Sequence, residues 1–296
     1  MPRISPSLIR QAYAISPLLP VLLPSCRTLS SAINELRWIR EYVQETENGQ
    51  LSLRYRANEL LKLCQRRGRG EPLQYILGSQ PFGDLDIKCR PGVLIPRPET
   101  EAYTAYISQL LLGDDPEWLK SNLEKSDNKA QQNKLSILDI KFHYHDIFMP
   151  WRESSLPASY DIIISNPPYI SQAGFMKEAA RSVRHWEPKL ALVPKRNLDL
   201  DCAPEDIFYY RLLELQRELE SKILLMEVGD TAQAKRVATM AMRKMQHEQP
   251  SRLEIWRDWP TETDEADSTT NIAIDDQSIP IKGTGNVRAV VVFSHL

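Results

Sequence analysis

Apolar residues recur at helical spacing near the start of the chain. Ile33, Leu36, Trp38-Ile39 and Val43 fall on one face, and Leu53, Leu60-Leu61 and Leu63 repeat the pattern over residues 51–63. Arg66-Arg67-Gly68-Arg69-Gly70 then predicts a helix break and a solvated basic loop. Residues 82–87 read as a short hairpin leading to Val93-Leu94-Ile95. Pro96-Arg97-Pro98-Glu99-Thr100-Glu101 opens a helix to about Leu112. Proline suits its first turn, and the two glutamates complement the positive end of its dipole.

Further on, the period shortens. Apolar runs at 135–140, 142–148, 161–165, 222–228, 253–256 and 287–293 read as strands, with helical patterns at 209–219 and 231–245. Apolar strands alternating with helices predict an α/β fold. Residues 113–134 are polar and read as a surface insertion. Residues 261–277 are acidic and poor in large apolar side chains, which predicts a disordered loop.

Composition narrows the options only modestly. The 296 residues are 42% hydrophobic and 26% charged, with a net charge of −2. That balance gives no general attraction to nucleic acid or anionic membrane. Four cysteines, Cys26, Cys64, Cys89 and Cys202, are too scattered for a zinc site or a disulfide framework, and point to a reducing compartment. No apolar run approaches the roughly 20 residues of a membrane span. Residues 1–34 lack Asp and Glu but carry Arg3, Arg10 and Arg27 among serines, a composition that predicts an organellar, mitochondrial transit segment over residues 1–30; without one the chain is cytoplasmic. Pro17, Pro20 and Pro24 argue against one long presequence helix.

The strongest chemical signal is Asn166-Pro167-Pro168-Tyr169, directly after the strand at 161–165. Open α/β sheets place ligands at the carboxyl ends of parallel strands. An amide or exocyclic amine nitrogen is a poor nucleophile, because its lone pair is delocalised. Its two hydrogens must be held so that the lone pair faces the methyl donor. The Asn166 side-chain oxygen can accept one N–H and the Pro167 carbonyl the other. The prolines stiffen the turn, and Tyr169 can stack on the flat group and exclude water. His143, His145 and Asp146 share a strand face but lack further ligands at suitable spacing, so no metal site is expected.

These residues match the amino-methyltransferase motif, and others make the likeness specific. Glu71-Pro72-Leu73-Gln74-Tyr75-Ile76-Leu77-Gly78, Val93 through Glu101, Trp186-Glu187-Pro188-Lys189-Leu190-Ala191-Leu192, Met226-Glu227-Val228-Gly229 and Asn286-Val287-Arg288-Ala289-Val290 resemble the HemK/PrmC family from about Ser31 to the C-terminus. The resemblance implies a Rossmann-like domain dependent on S-adenosylmethionine (SAM), with a small N-terminal helical domain. It implies methylation of the glutamine in the Gly-Gly-Gln loop of peptide-chain release factors, with Asn166 to Tyr169 holding that glutamine. Asn166 would also border the cofactor, and Asp146 and Ile147 would lie at the adenine end of the SAM pocket. The resulting domains are a recognition domain at 31–70, a hairpin linker at 71–95 and a methyltransferase domain at 96–296 with loops at 113–134 and 261–286. A monomer is expected.

One region departs from the family. The first strand, 135–140, should lead into a glycine-rich loop where the backbone approaches the cofactor. No glycine follows it. Residues 141–148 come instead and resemble the family's third strand, so about two helices and a strand are absent between Ile140 and Lys141. A skipped exon would leave such a join, as would a paralogue that has given up SAM. Asp139 ends the first strand and faces the pocket without its loop partners. Weak or absent SAM binding is therefore expected. Two other functions fit parts of this pattern: a nucleic-acid adenine or cytosine amino-methyltransferase, which flips its base out, and a release-factor-binding protein without catalysis.

Overall fold

Residues 4–45, 53–112, 137–139, 146–153, 156–195, 200–245, 250–263 and 271–294 are described by the structure, a computed structural model. They fall into two units, Met1–Pro96 with Met176–Lys189 and Arg97–Phe175 with Leu190–Leu296.

The first unit is built on α1 (Pro6–Ile15), α2 (Leu19–Cys26), α3 (Leu29–Glu45), α4 (Leu53–Gly68) and α5 (Leu73–Leu77). Ser5 caps α1, accepting from the Leu8 N–H at 3.2 Å. The break between α1 and α2 falls at Pro17, as the prolines predicted. Arg27, in left-handed conformation at φ 66°, ends α2 and returns its N–H to Leu23. Ala12, Leu19, Leu22, Leu23, Leu36, Ile39 and Leu63 form the shared core. Residues 4–26 are therefore packed structure. A hairpin of β1 (Ser79–Phe82) and β2 (Leu85–Lys88) follows. Tyr75, Cys89, Ile95 and Trp186 pack together beside it. Trp186 ends α8 (Arg181–Trp186).

The second unit carries a seven-stranded sheet in the order β3-β4-β5-β9-β6-β8-β7. Its strands are β3 (Ile137–Asp139), β4 (Ile162–Ser165), β5 (Ile223–Glu227), β6 (Pro250–Trp259), β7 (Asn271–Ile274), β8 (Gln277–Lys282) and β9 (Thr284–Ser294). The first three are mutually parallel and β9 runs antiparallel to β5. Period-two alternation sorts the buried β5 side chains. Ile223 and Leu225 pack with Tyr103 and Ile107 of α6 (Pro98–Leu112), while Leu224 and Met226 face Leu212 of α9 (Ile207–Glu218) and Val237 of α10 (Thr231–Met245). Helices thus cover both faces of a mixed α/β sheet. A short helix, α7 (Gln172–Lys177), follows β4.

Three expectations change. Residues 146–149 form a turn, not the end of a strand: Asp146 accepts the Met149 N–H on its carbonyl and the Phe148 N–H on its Oδ1. Side-chain capping of this kind competes with extended pairing. The loop expected over 261–286 contains β7, β8 and the start of β9. Ile274 and Ile279 reach the core, and Asp275 at φ 49° makes the tight turn that joins β7 to β8. The basic segment at 66–70 begins inside α4, and Arg66 and Arg67 are ion-paired rather than solvated. Residues 113–134 and the join at 140–141 lie outside the described residues, as do His143 and His145.

Candidate active site

Asn166 leaves β4 next to Glu227, because Ser165 pairs with Met226 in the parallel register of β4 and β5. The fold thus sets an amide beside a carboxylate at the carboxyl ends of two central strands. Glu227 is 2% exposed. Its Oε2 accepts from Asn166 Nδ2, Thr100 Oγ1 and Tyr103 OH, each at 2.8 Å, and its Oε1 accepts from Tyr169 OH at 3.0 Å. Thr100 and Tyr103 come from the first turns of α6, which crosses this end of the sheet. Tyr209 OH donates to the Glu227 carbonyl at 2.8 Å.

Burial first, and the Glu227 charge after it, push the Tyr103 and Tyr169 hydroxyls up from their ordinary value. Burial likewise raises Tyr209. These phenols keep their protons and act as donors.

The far end of the turn is held by Gln233. This residue is 4% exposed and donates from Nε2 to the Tyr169 carbonyl at 3.1 Å and to Asp206 Oδ1 at 2.8 Å. Its Oε1 accepts the Gly229 N–H at 2.8 Å, while Asp230 caps α10 by accepting the Gln233 N–H at 2.7 Å. The Tyr169 ring lies against Gly229, where a Cβ would sit 3.2 Å from Cδ2. A cavity of about 390 Å³ opens beside Gly229 and Asp230, with Asn286 and Arg288 on its far side.

Among the described residues, none donates to Asn166 Oδ1 or to the Pro167 carbonyl. Asn166 Oδ1 is also not one of the sealed, unpartnered side-chain atoms of the described residues.

The structure therefore brings Asn166, Pro167, Pro168 and Tyr169 together with Glu227. Sequence reading passed over Thr100, Tyr103, Tyr209 and Gln233. The signal available was the glutamate ending an apolar strand parallel to β4, a charge that needs buried donors. The other residues expected at the cofactor are Ile147, Asp146 and Asp139. Ile147 is 5% exposed and belongs to the core, and its carbonyl accepts from Arg211 Nε at 2.6 Å. Asp146 is exposed on its turn. Asp139 ends β3, and its side chain lies outside the described residues.

The next glycine after Asp139 in the chain is Gly174. Among the described residues, β3 is the sheet edge, with no strand on its outer side. No group of three or more metal-ligating side chains occurs among the described residues.

No protein-family profile matches the chain. It is 32% identical over 255 residues to the mitochondrial MRF1 N(5)-glutamine methyltransferase of Saccharomyces cerevisiae, covering 73% of this chain and 78% of the relative. The probable mitochondrial MRF1 N(5)-glutamine methyltransferase of Schizosaccharomyces pombe is 31% identical over 278 residues, covering 77% and 86%. The release factor glutamine methyltransferase of Bacteroides thetaiotaomicron is 32% identical over 190 residues, covering 54% and 63%.

Proposed function

The chain belongs to the release-factor N(5)-glutamine methyltransferase family, and from that premise we propose that it serves methyl transfer from SAM to a glutamine side-chain amide of a peptide-chain release factor. The observation that carries the proposal is a pair of acceptors, Asn166 Oδ1 and the Pro167 carbonyl, that receive no donor from the described residues at the end of a central parallel strand. They match the two hydrogens of one amide nitrogen. Tyr169, anchored through its hydroxyl, offers a ring face that excludes water from that amide. The Glu227 carboxylate is saturated by donors and does not act as a base, so positioning does the work. The relatives' names favour a protein substrate over a nucleic acid. Mass spectrometry of MRF1 incubated with the chain and excess SAM should find a slow gain of one methyl on the target glutamine. Asn166→Ala should remove it. Methylation that survives Asn166→Ala would end this reading.

SAM is held weakly by this chain. The absence of any glycine between Asp139 and Gly174 supports this, as does the position of β3 at the sheet edge among the described residues. Isothermal titration should give a dissociation constant well above micromolar. Tight SAM binding would overturn the claim.

The helical unit docks the release factor. Support comes from a cavity of about 370 Å³ bordered by Arg27, Arg69, Arg181, His185 and Trp186, with no acidic residue among its described lining. A mitochondrial location follows the names of two relatives and the basic, acid-free start of the chain. Because Ala12, Leu19, Leu22 and Leu23 are part of the helical unit's core, import would leave this segment attached.

A further inference from the structure

A primary amide has two ends of similar shape and opposite hydrogen-bonding character. Which end of Asn166 faces the substrate decides what the site accepts. With its oxygen outward, Asn166 and the Pro167 carbonyl form a pair of acceptors. With its nitrogen outward, the site would hold one donor and one acceptor.

The choice is made at Glu227. A carboxylate only accepts hydrogen bonds, and Asn166 Nδ2 sits 2.8 Å from Glu227 Oε2. A flipped amide would press its oxygen against that carboxylate at the same distance. Glu227 has no freedom to turn away, since Thr100 and Tyr103 donate to the same oxygen and Tyr169 to the other. The group is 2% exposed, so water does not screen the preference.

We propose that Glu227 makes the site selective for a side-chain amide over a carboxylate, by fixing Asn166 with its oxygen toward the substrate. A glutamine presents two N–H donors to the two acceptors. A glutamate presents only acceptors, and meets two oxygens it cannot pair with. Glu227 is thus a positioning residue that acts through Asn166. The inference rests on the reading of the turn as the amide-holding element.

The test uses binding without SAM, so the state of the cofactor pocket does not enter. Yeast MRF1 is compared with its variant carrying glutamate at the target glutamine, by isothermal titration against the full chain. The unaltered chain should prefer the glutamine form by about tenfold or more. Glu227→Leu should bring the ratio to within about twofold. Glu227→Gln, which keeps an oxygen for Asn166, Thr100 and Tyr103, should retain most of the preference. In an Asn166→Ala background, Glu227→Leu should change the ratio no further, because the two residues act as one unit. Should Glu227→Leu fail to fold, Glu227→Asp keeps the charge but shortens the reach, and should lose the preference likewise. A folded Glu227→Leu or Glu227→Asp chain with an unchanged ratio overturns the inference alone. Absence of any preference in the unaltered chain overturns both the inference and the reading of the turn.

Discussion

At the scale of single residues, function and stability depend on groups with no alternative arrangement. Gly283 joins β8 to β9 at φ 89°, and an added Cβ would stand 2.3 Å from the Trp259 carbonyl oxygen. Any side chain there meets both a disfavoured backbone region and a backbone atom that cannot yield. Gly283→Ala should cost about 3 kcal/mol or more in a urea titration. The buried thiols give a pH signature. Burial, and after it the Glu35 charge, pushes Cys26 up to about 12 from an ordinary 9.0, and burial, opposed by Arg40, pushes Cys64 up to about 11. Both thiols stay protonated in the folded chain where the unfolded chain ionises. Their contribution is therefore complete below pH 9.0 and is lost as the pH climbs toward those higher values. Denaturation midpoints should fall across that window, and substituting both cysteines by serine should flatten the fall. At pH 8, iodoacetamide should label both thiols far more slowly in the folded chain than in urea.

Elements are held by charges whose partners lie elsewhere in the chain. Arg67, in the last turn of α4, forks onto Glu35 of α3 at 2.6 and 2.9 Å and donates to the Glu71 carbonyl at 3.1 Å. Side-chain exposures of 13% and 11% leave little screening by water. Arg67→Ala should cost about 3–5 kcal/mol, since it strands the Glu35 carboxylate. Arg67→Lys should fall between, keeping the charge but losing the fork. Equal melting of all three chains would show that the pair adds nothing. This pair also shows where the sequence was legible. The helical spacing of Leu36, Ile39 and Leu63 identified α3 and α4, because their periodicity is local. Arg66 and Arg67 read as a solvated loop, because the partner Glu35 is 32 residues away and no local pattern announces it. The β7–β8 hairpin was hidden for a related reason. Its core contribution comes mainly from Ile274 and Ile279, which vanish in the average of a polar segment. Asn166 to Tyr169 was legible because its four residues are contiguous. The buried donors around Glu227 were not, since Thr100, Tyr103 and Tyr209 meet it only through the crossing of α6 and α9 with the sheet.

For the whole molecule, the proposed division of labour separates affinity for the release factor from handling of the glutamine. The two should respond to different variants. Arg69 and Arg181 are exposed at the rim of the helical unit's cavity, where no carboxylate among the described lining residues offsets them. An acidic partner surface would be drawn there by charges that salt screens over about 8–10 Å. The double charge reversal Arg69→Glu with Arg181→Glu should weaken MRF1 binding by about tenfold at low salt and by less at high salt. The ratio between glutamine and glutamate forms of MRF1 should not move, because that ratio is set at Asn166. The Asn166→Ala chain should behave in the opposite way, losing the ratio while keeping its salt dependence. Each measurement is an equilibrium titration without SAM, so neither depends on how the cofactor is held. If charge reversal leaves affinity and its salt dependence unchanged, the basic cavity is only a solvated rim, and the release factor must be gripped by the turn at Asn166 and its surroundings alone.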